Sequence, residues 1–158
     1  MRPMTARHAL TFAAVLCALF GAACGGSKGD GIEPADRAFR DFQAIYPILA
    51  RDCGFHNCHG SEDRFFHIYA PGRARLDSDT RAFDAVTGFE ASASFTSALS
   101  FIDAEDPARS LLLRKPLAVA AGGASHEGVD AFGRDVYRSA NDEGYLAIAG
   151  WVLTAAEE

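Results

Sequence analysis

The chain has 158 residues, with 15 basic and 21 acidic side chains and a formal net charge of −6. This length suits one domain with one hydrophobic core. The acidic balance disfavours nucleic acid and anionic lipid as partners and favours a basic partner, and the sequence has no long basic stripe to offset it.

The first 23 residues have the pattern of a secretory signal peptide. Residues 1–8 contain Arg2 and Arg7 but no acid, and residues 9–23 are apolar and end in small residues. The apolar run is shorter than the about 20 residues that span a membrane. Its removal would leave 13 basic groups against 21 acidic ones, a net charge of about −8.

The segment "LFGAAC" resembles a bacterial lipobox, in which a cysteine becomes the lipidated N-terminus. Cys24 follows two alanines, although Gly21 stands where leucine is usual. Residues 24–33 would then be the lipidated cysteine and a flexible polar tether. The pattern predicts an exported protein, lipid-anchored to a membrane and facing the periplasm or the cell surface. Ordinary cleavage nearby, which would leave Cys24 as a spare thiol, is the alternative.

After the tether, apolar spacing predicts a helix over 34–46, which Pro47 should end or kink before Cys53. Few later segments have a strand pattern, so the predicted architecture is mostly α. In chain order we expect a short strand or helical turn (64–69), a loop (70–80), two short helices (81–86 and 94–102), a helical turn capped by Asp106 (106–117), a glycine-rich loop (118–133) and a final helix (141–158).

The segment "DCGFHNCHG" holds the remaining cysteine pair. Cys17 would leave with the leader and Cys24 would carry lipid, so Cys53 and Cys58 have only each other as partners. In an oxidising compartment such a pair forms a disulfide or is covalently used. Three interpretations are open: covalent haem, zinc, and a plain disulfide.

The haem interpretation uses both thiols and the histidine directly after them. Cys53 and Cys58 would add to the two vinyl groups of the porphyrin, and His59 would bind the iron. Four residues separate the cysteines, where the usual motif has two. The intervening peptide can bulge outward, and Gly54 would help such a bulge.

The other two interpretations are a zinc site and a plain disulfide. Zinc would take Cys53, His56, Cys58 and His59, although one tight loop rarely presents four ligands tetrahedrally. A Cys53–Cys58 disulfide would make the chain a non-haem lipoprotein, a binding or structural module in which His59 is incidental.

Two stretches resemble c-type cytochrome domains. "YPILARDCGFHNCHG" resembles the helix and haem motif that open them, with a variant Cys-x4-Cys-His spacing, and "DPARSLLLRKPL…GG…H…F…Y…L…W" resembles the second half of planctomycete/myxobacterial-type haem-domain lipoproteins. The resemblance covers roughly 40–158, only loosely over 61–100. It implies a small helical cytochrome c-like domain with long loops over 34–158, one covalent haem c on Cys53 and Cys58, and His59 as proximal ligand. It further implies electron transfer with redox partner proteins, by a carrier or haem-binding subunit rather than a turnover enzyme.

The sixth iron ligand cannot be the usual methionine. Met1 and Met4 are the only methionines, and both lie in the leader. His126, in the glycine-rich loop where the resembled family carries a histidine, is the expected replacement. The alternative is a solvated His126 and five-coordinate iron. His67 and His56 lie too near the proximal side in sequence.

Two arginines in the 70–80 loop have two possible roles. Arg73 and Arg75 could pair with haem propionates, or they could be ordinary surface charges.

Overall fold

The computed structural model describes residues 34–126, 133 and 135–157. The expected signal peptide (1–23) and the expected tether (24–33), with the predicted lipidation site Cys24, lie outside them. The described residues belong to one compact unit. The helices are α1 (Pro34–Asp52), α2 (Gly88–Leu99), α3 (Leu111–Arg114) and α4 (Glu143–Ala156), with short 3-10 turns at Pro107–Arg109 and Val119–Ala121.

The predicted mostly-α architecture is confirmed. Within the described residues no strand forms, and the one β-type contact is an isolated parallel bridge between Leu117 and Tyr137. Among these residues, none of the helices combines the length and apolar character needed to cross a bilayer.

Helix α1 is longer than predicted, because it continues through Pro47 to Asp52. Proline removes one helical hydrogen bond and costs about 3 kcal/mol in a helix interior. The turns on both sides offset this cost by burial: Tyr46 is 8% exposed and Leu49 is fully buried. Pro47 itself lies on the exposed face of the helix. The expected end at residue 46 is therefore wrong, and the helix leads directly into the cysteine motif.

The core forms where α1 packs against α4. Phe42 lies 5.1 Å from Trp151, centroid to centroid, and is fully buried. The Trp151 indole Nε1 donates a hydrogen bond of 3.0 Å to the Ala38 carbonyl, so its only polar atom is satisfied. Ile148 and Val152 complete the buried face of α4. Each such side chain contributes about 2 kcal/mol through burial.

Helix α2 begins earlier than predicted, at Gly88 instead of residue 94, because a capping box fixes its start. The Thr87 hydroxyl accepts from the Glu90 amide, and the Glu90 carboxylate accepts from the Thr87 amide. The short helix predicted over 81–86 is wrong. The carbonyls of Arg81, Asp84 and Ala85 instead accept hydrogen bonds from the Arg75 guanidinium.

Residues 53–87 form a loop layer between α1 and α2. Part of it is extended, and its side chains alternate, with Phe66, Ile68 and Ala70 buried. Two serine hydroxyls of α2 accept hydrogen bonds from the amides of His67 and Tyr69. The expected strand or helical turn at 64–69 is thus extended backbone paired with helix side chains.

The C-terminal half follows the predictions more closely. Helix α4 lies within the predicted 141–158, and the 106–117 segment forms a 3-10 turn followed by α3. The expected Asp106 cap is wrong, since the Asp106 side chain makes no capping hydrogen bond. Tyr137 is buried and donates a hydrogen bond of 2.8 Å to Asp52 Oδ2, which joins the segment before α4 to the end of α1.

Candidate functional site

The cysteine motif forms a closed loop, residues 53–60, at the end of α1. The amides of Cys53 and Gly54 still donate to the Leu49 carbonyl, at 2.9 and 2.8 Å. The His59 amide then donates back to the Cys53 carbonyl at 3.1 Å, and the Gly60 amide donates to the Phe55 carbonyl at 3.0 Å. The four residues between the cysteines therefore form an outward bulge, in which Phe55, His56 and Asn57 are exposed.

Two glycines permit this closure. A methyl group on Gly60 would lie 2.2 Å from the Gly54 carbonyl oxygen, and one on Gly54 would lie 2.8 Å from the Ala50 oxygen. Both contacts are with backbone atoms, which a rotamer change cannot relieve. Gly54 was expected to help the bulge, and the close approach of the Ala50 carbonyl oxygen leaves no room for a side chain at this position. The equal need for Gly60 was missed, although its position directly after His59 was a signal.

The two cysteines are free thiols with different surroundings. Cys53 is buried at the end of α1 and Cys58 is half-buried. Burial raises the pKa of the Cys53 thiol to about 12, with a smaller contribution from the Asp52 carboxylate. Cys53 is therefore protonated at neutral pH in the folded domain and is a poor nucleophile there. A Cys53–Cys58 disulfide is not present in the structure.

His59 is held in one tautomer. Its Nδ1 lies 2.9 Å from the Phe66 carbonyl oxygen, which can only accept, so Nδ1 carries the proton of this hydrogen bond. The pKa of His59 is lowered, mainly by burial, which keeps the ring neutral near pH 7. Nε2 therefore keeps its lone pair. A neutral imidazole whose other nitrogen donates to a backbone carbonyl is the usual state of a metal-binding histidine.

His126 lies beside His59, although 67 positions separate them in the sequence. The ring centroids are 5.9 Å apart with an interplanar angle of 32°. Two imidazoles that bind one metal ion from opposite sides have centroids about 6 Å apart, because each metal–nitrogen bond is about 2 Å long. The fold thus brings together the two histidines predicted as iron ligands.

The cleft beside the His126 ring is small. A cleft of about 100 Å³ adjoins His126 and is lined by Lys115, Pro116, Leu117, Val119, Ala124, Ser125, Asp135 and Val136. Ligand pockets usually measure about 300–1,000 Å³. The donor atoms fit haem chemistry, but this cleft does not hold a whole porphyrin. The surrounding side chains would have to separate to admit one.

The other candidate ligands form no metal-binding group with this pair among the described residues. His56 is exposed on the bulge. His67 stacks on Tyr69, with centroids 4.2 Å apart, and its Nε2 is buried without a hydrogen-bond partner. Over 34–126, 133 and 135–157, no three His, Cys, Asp or Glu side chains converge as a metal-binding group. The four-ligand arrangement considered for zinc is thus not formed there.

The Phe66 carbonyl is a site group that sequence reasoning missed. It orients His59, and the Phe66 ring packs 4.6 Å from the imidazole, centroid to centroid. No side-chain pattern could reveal a carbonyl acceptor, because every residue carries one. The apolar alternation around Phe66 was the only available signal.

No protein-family model, no curated protein and no solved structure matches this chain. The site must therefore be interpreted from its own geometry.

Proposed function

We propose that the chain is a lipid-anchored, exported monohaem c-type cytochrome that passes single electrons between partner proteins. The observation that carries the proposal is the state of His59. Its Nδ1 is committed to the Phe66 carbonyl, its Nε2 lone pair is available, and its ring lies 5.9 Å from that of His126. Cys58 directly precedes this histidine, as covalent haem attachment requires.

Each motif residue would have a definite task. Cys53 and Cys58 would hold the haem covalently, each through one thioether bond. His59 and His126 would hold the iron. The haem would supply one-electron chemistry between ferrous and ferric iron.

The environment of Cys53 bears on when attachment takes place. A buried thiol with a pKa of about 12 has almost no thiolate at neutral pH. Thioether formation at Cys53 would therefore precede burial of this residue, or would need the motif loop to open. The hydrogen bond between His59 Nδ1 and the Phe66 carbonyl would then form as the chain folds after attachment.

A histidine in place of the usual methionine ligand also has a consequence for the reduction potential. Methionine ligation raises the reduction potential of haem iron. Two imidazoles would hold the iron at a lower potential than one imidazole and one thioether.

The test is an absorption spectrum of the mature protein, coexpressed with a haem ligation system. The reduced protein should show a c-type α-band that survives acid-acetone extraction, and its intact mass should include haem. A colourless product whose mass has lost two hydrogens would overturn the proposal and support the disulfide-stapled lipoprotein instead.

The ligand assignment has its own test. His126→Ala should convert a low-spin spectrum to a high-spin one, because the sixth position loses its strong-field ligand. His56→Ala is the matched control, since His56 is an exposed histidine of the same site region, and its spectrum should stay low-spin. An unchanged spectrum in His126→Ala would remove His126 from the iron while leaving covalent haem in place.

A further inference from the structure

The turn at residues 76–80 and the start of α2 enclose a surface cleft of about 440 Å³. This volume lies within the range of about 300–1,000 Å³ that is usual for ligand pockets. None of its lining residues belongs to the cysteine motif, and the proposed function makes no use of the cleft. Its lining residues are Leu76, Asp77, Ser78, Thr80, Thr87 and Phe89.

The two walls of this cleft are joined by the buried Glu90 side chain. The Glu90 carboxylate forms a bidentate ion pair with the Arg75 guanidinium, at 2.7 and 2.8 Å. It also accepts hydrogen bonds from the Leu76 amide at 3.2 Å and from the Thr87 amide at 2.9 Å. Because one side chain bonds to the backbone of both walls, the cleft is formed before any ligand binds, which lowers the entropic cost of binding.

Two of the lining side chains expose apolar surface. The Phe89 side chain on α2 is 82% exposed, and the Leu76 side chain on the turn is 47% exposed. A single exposed apolar side chain is ordinary. Two of them on different walls of one cleft let an apolar side chain of a ligand lose contact with water on both sides.

Negative charge dominates the surroundings of the cleft. Asp77 alone among the six lining residues is charged. Its Oδ1 accepts a hydrogen bond of 2.9 Å from the Asp79 amide, which orients the carboxylate and leaves lone pairs for a ligand. Residues 76–87 contain three carboxylates and one cation, and the whole chain has a net charge of −6. These charges attract a cationic ligand, and they disfavour nucleic acid, anionic lipid and a second copy of the chain.

We propose that this cleft binds a basic segment of a partner protein, in which a lysine or arginine lies next to a large apolar residue. The apolar side chain would pack between Leu76 and Phe89, and the cation would pair with the Asp77 carboxylate. The hydroxyls of Ser78 and Thr80 would hydrogen-bond to the backbone of the segment. This inference goes beyond the proposed function, because no part of it uses haem or the cysteine motif.

Apolar burial and charge should contribute differently to binding. Truncation of a buried phenylalanine removes enough apolar contact that Phe89→Ala should weaken binding about tenfold. An exposed ion pair contributes less and is screened by salt, so Asp77→Asn should weaken binding about threefold at low salt and hardly at all at about 0.5 M salt.

The experiment measures, by fluorescence anisotropy, binding to the purified protein of a blocked, dye-labelled peptide in which lysine alternates with leucine. Two further peptides replace leucine with serine or lysine with glutamate, and both should bind more weakly. The matched controls for Phe89→Ala and Asp77→Asn are Phe65→Ala and Asp63→Asn, which remove an exposed ring and an exposed carboxylate outside the lining of the cleft. All four positions are exposed, so these variants should fold normally.

The expected result is binding that weakens in the two cleft variants and stays unchanged in the two controls. The peptide should also shift the backbone amide NMR signals of residues 76–80 and 87–89. If the lysine–leucine peptide does not bind, or if the cleft variants bind it like their controls, the proposal is overturned. A serine peptide that binds equally well would also overturn it, because the attraction would then come from the acidic surface in general.

Other occupants of the cleft give different results. Dimerisation in sedimentation experiments that is lost in Phe89→Ala would overturn the proposal in favour of a second copy of the chain. Binding to phosphatidylcholine vesicles that is lost in the same variant would overturn it in favour of a membrane surface. The absorption spectrum of the same sample separates this proposal from the cytochrome proposal. A colourless protein that binds the peptide leaves only the cleft assignment, and a haem protein that does not bind it leaves only the cytochrome.

Discussion

The α1–α4 core and the loop layer (residues 53–87) are stabilised by different forces. The core depends on apolar burial, with Phe42, Trp151 and Val152 almost completely removed from solvent. The loop layer has no regular secondary structure, and it depends on directed polar contacts: the Arg75–Glu90 ion pair, the backbone hydrogen bonds of the motif loop and two serine hydroxyls of α2. Apolar burial is non-directional, whereas hydrogen bonds and ion pairs need a defined donor–acceptor geometry, so the polar contacts fix the positions of the groups that make them.

The largest expected effect is in the core. Trp151→Ala should lower the free energy of unfolding by about 4 kcal/mol, because it leaves a cavity beside Phe42 and removes the hydrogen bond to the Ala38 carbonyl. Urea denaturation measures the change. Leu153→Ala, an exposed position on the same helix, should change stability by no more than about 0.5 kcal/mol. Equal costs for the two variants would contradict this account of the core.

The next largest effect on stability is expected at the Arg75–Glu90 ion pair. Glu90→Gln should cost about 3 kcal/mol, because it leaves the buried Arg75 guanidinium without its counter-charge. Glu62→Gln, an exposed carboxylate of the same layer, should have little effect.

The Arg75–Glu90 ion pair should also make the stability of the domain depend on pH. The hydrogen bonds from Arg75 lower the pKa of Glu90 from 4.5 to about 2. Its stabilising contribution is therefore complete above pH 4.5 and is lost as the pH falls towards 2. The stability difference between wild type and Glu90→Gln should shrink across that interval, as urea titrations at several pH values can measure. A difference that stays constant down to pH 2 would show that the pair does not titrate in this way.

The smallest of the three effects concerns the motif loop. Gly60→Ala should cost about 2 kcal/mol, because the added methyl group meets the Gly54 carbonyl oxygen and the loop must open. Gly150→Ala is the matched control in α4, where nothing lies within 4 Å of the new methyl group. It should stabilise the domain by about 1 kcal/mol through helix propensity. If thermal unfolding gives both substitutions the same sign, the close packing inferred for the motif loop is wrong.

Sequence reasoning was most accurate where a pattern is local and repeated. The helical spacing of Phe42, Ile45 and Leu49 predicted α1, and the apolar stripe of residues 141–158 predicted α4. The predictions were inaccurate where contacts with residues distant in sequence override the local pattern. Residues 81–86 are not a helix because their backbone carbonyls accept hydrogen bonds from the Arg75 guanidinium. Pro47 does not end α1 because burial of the neighbouring side chains in the core outweighs one lost hydrogen bond.

The sequence by itself determined the chemistry available at the site: two thiols, an adjoining histidine and the lack of any methionine after Met4. Only the tertiary structure decided how these groups are disposed. In the folded chain the Phe66 carbonyl accepts a hydrogen bond from His59, and the His126 ring lies 5.9 Å from the His59 ring. Arg75 forms an ion pair with Glu90, whereas Arg73 Nε has no hydrogen-bond partner. The physical reason is that residue type fixes which bonds a side chain can make. Which partner it meets depends on contacts between segments far apart in the chain.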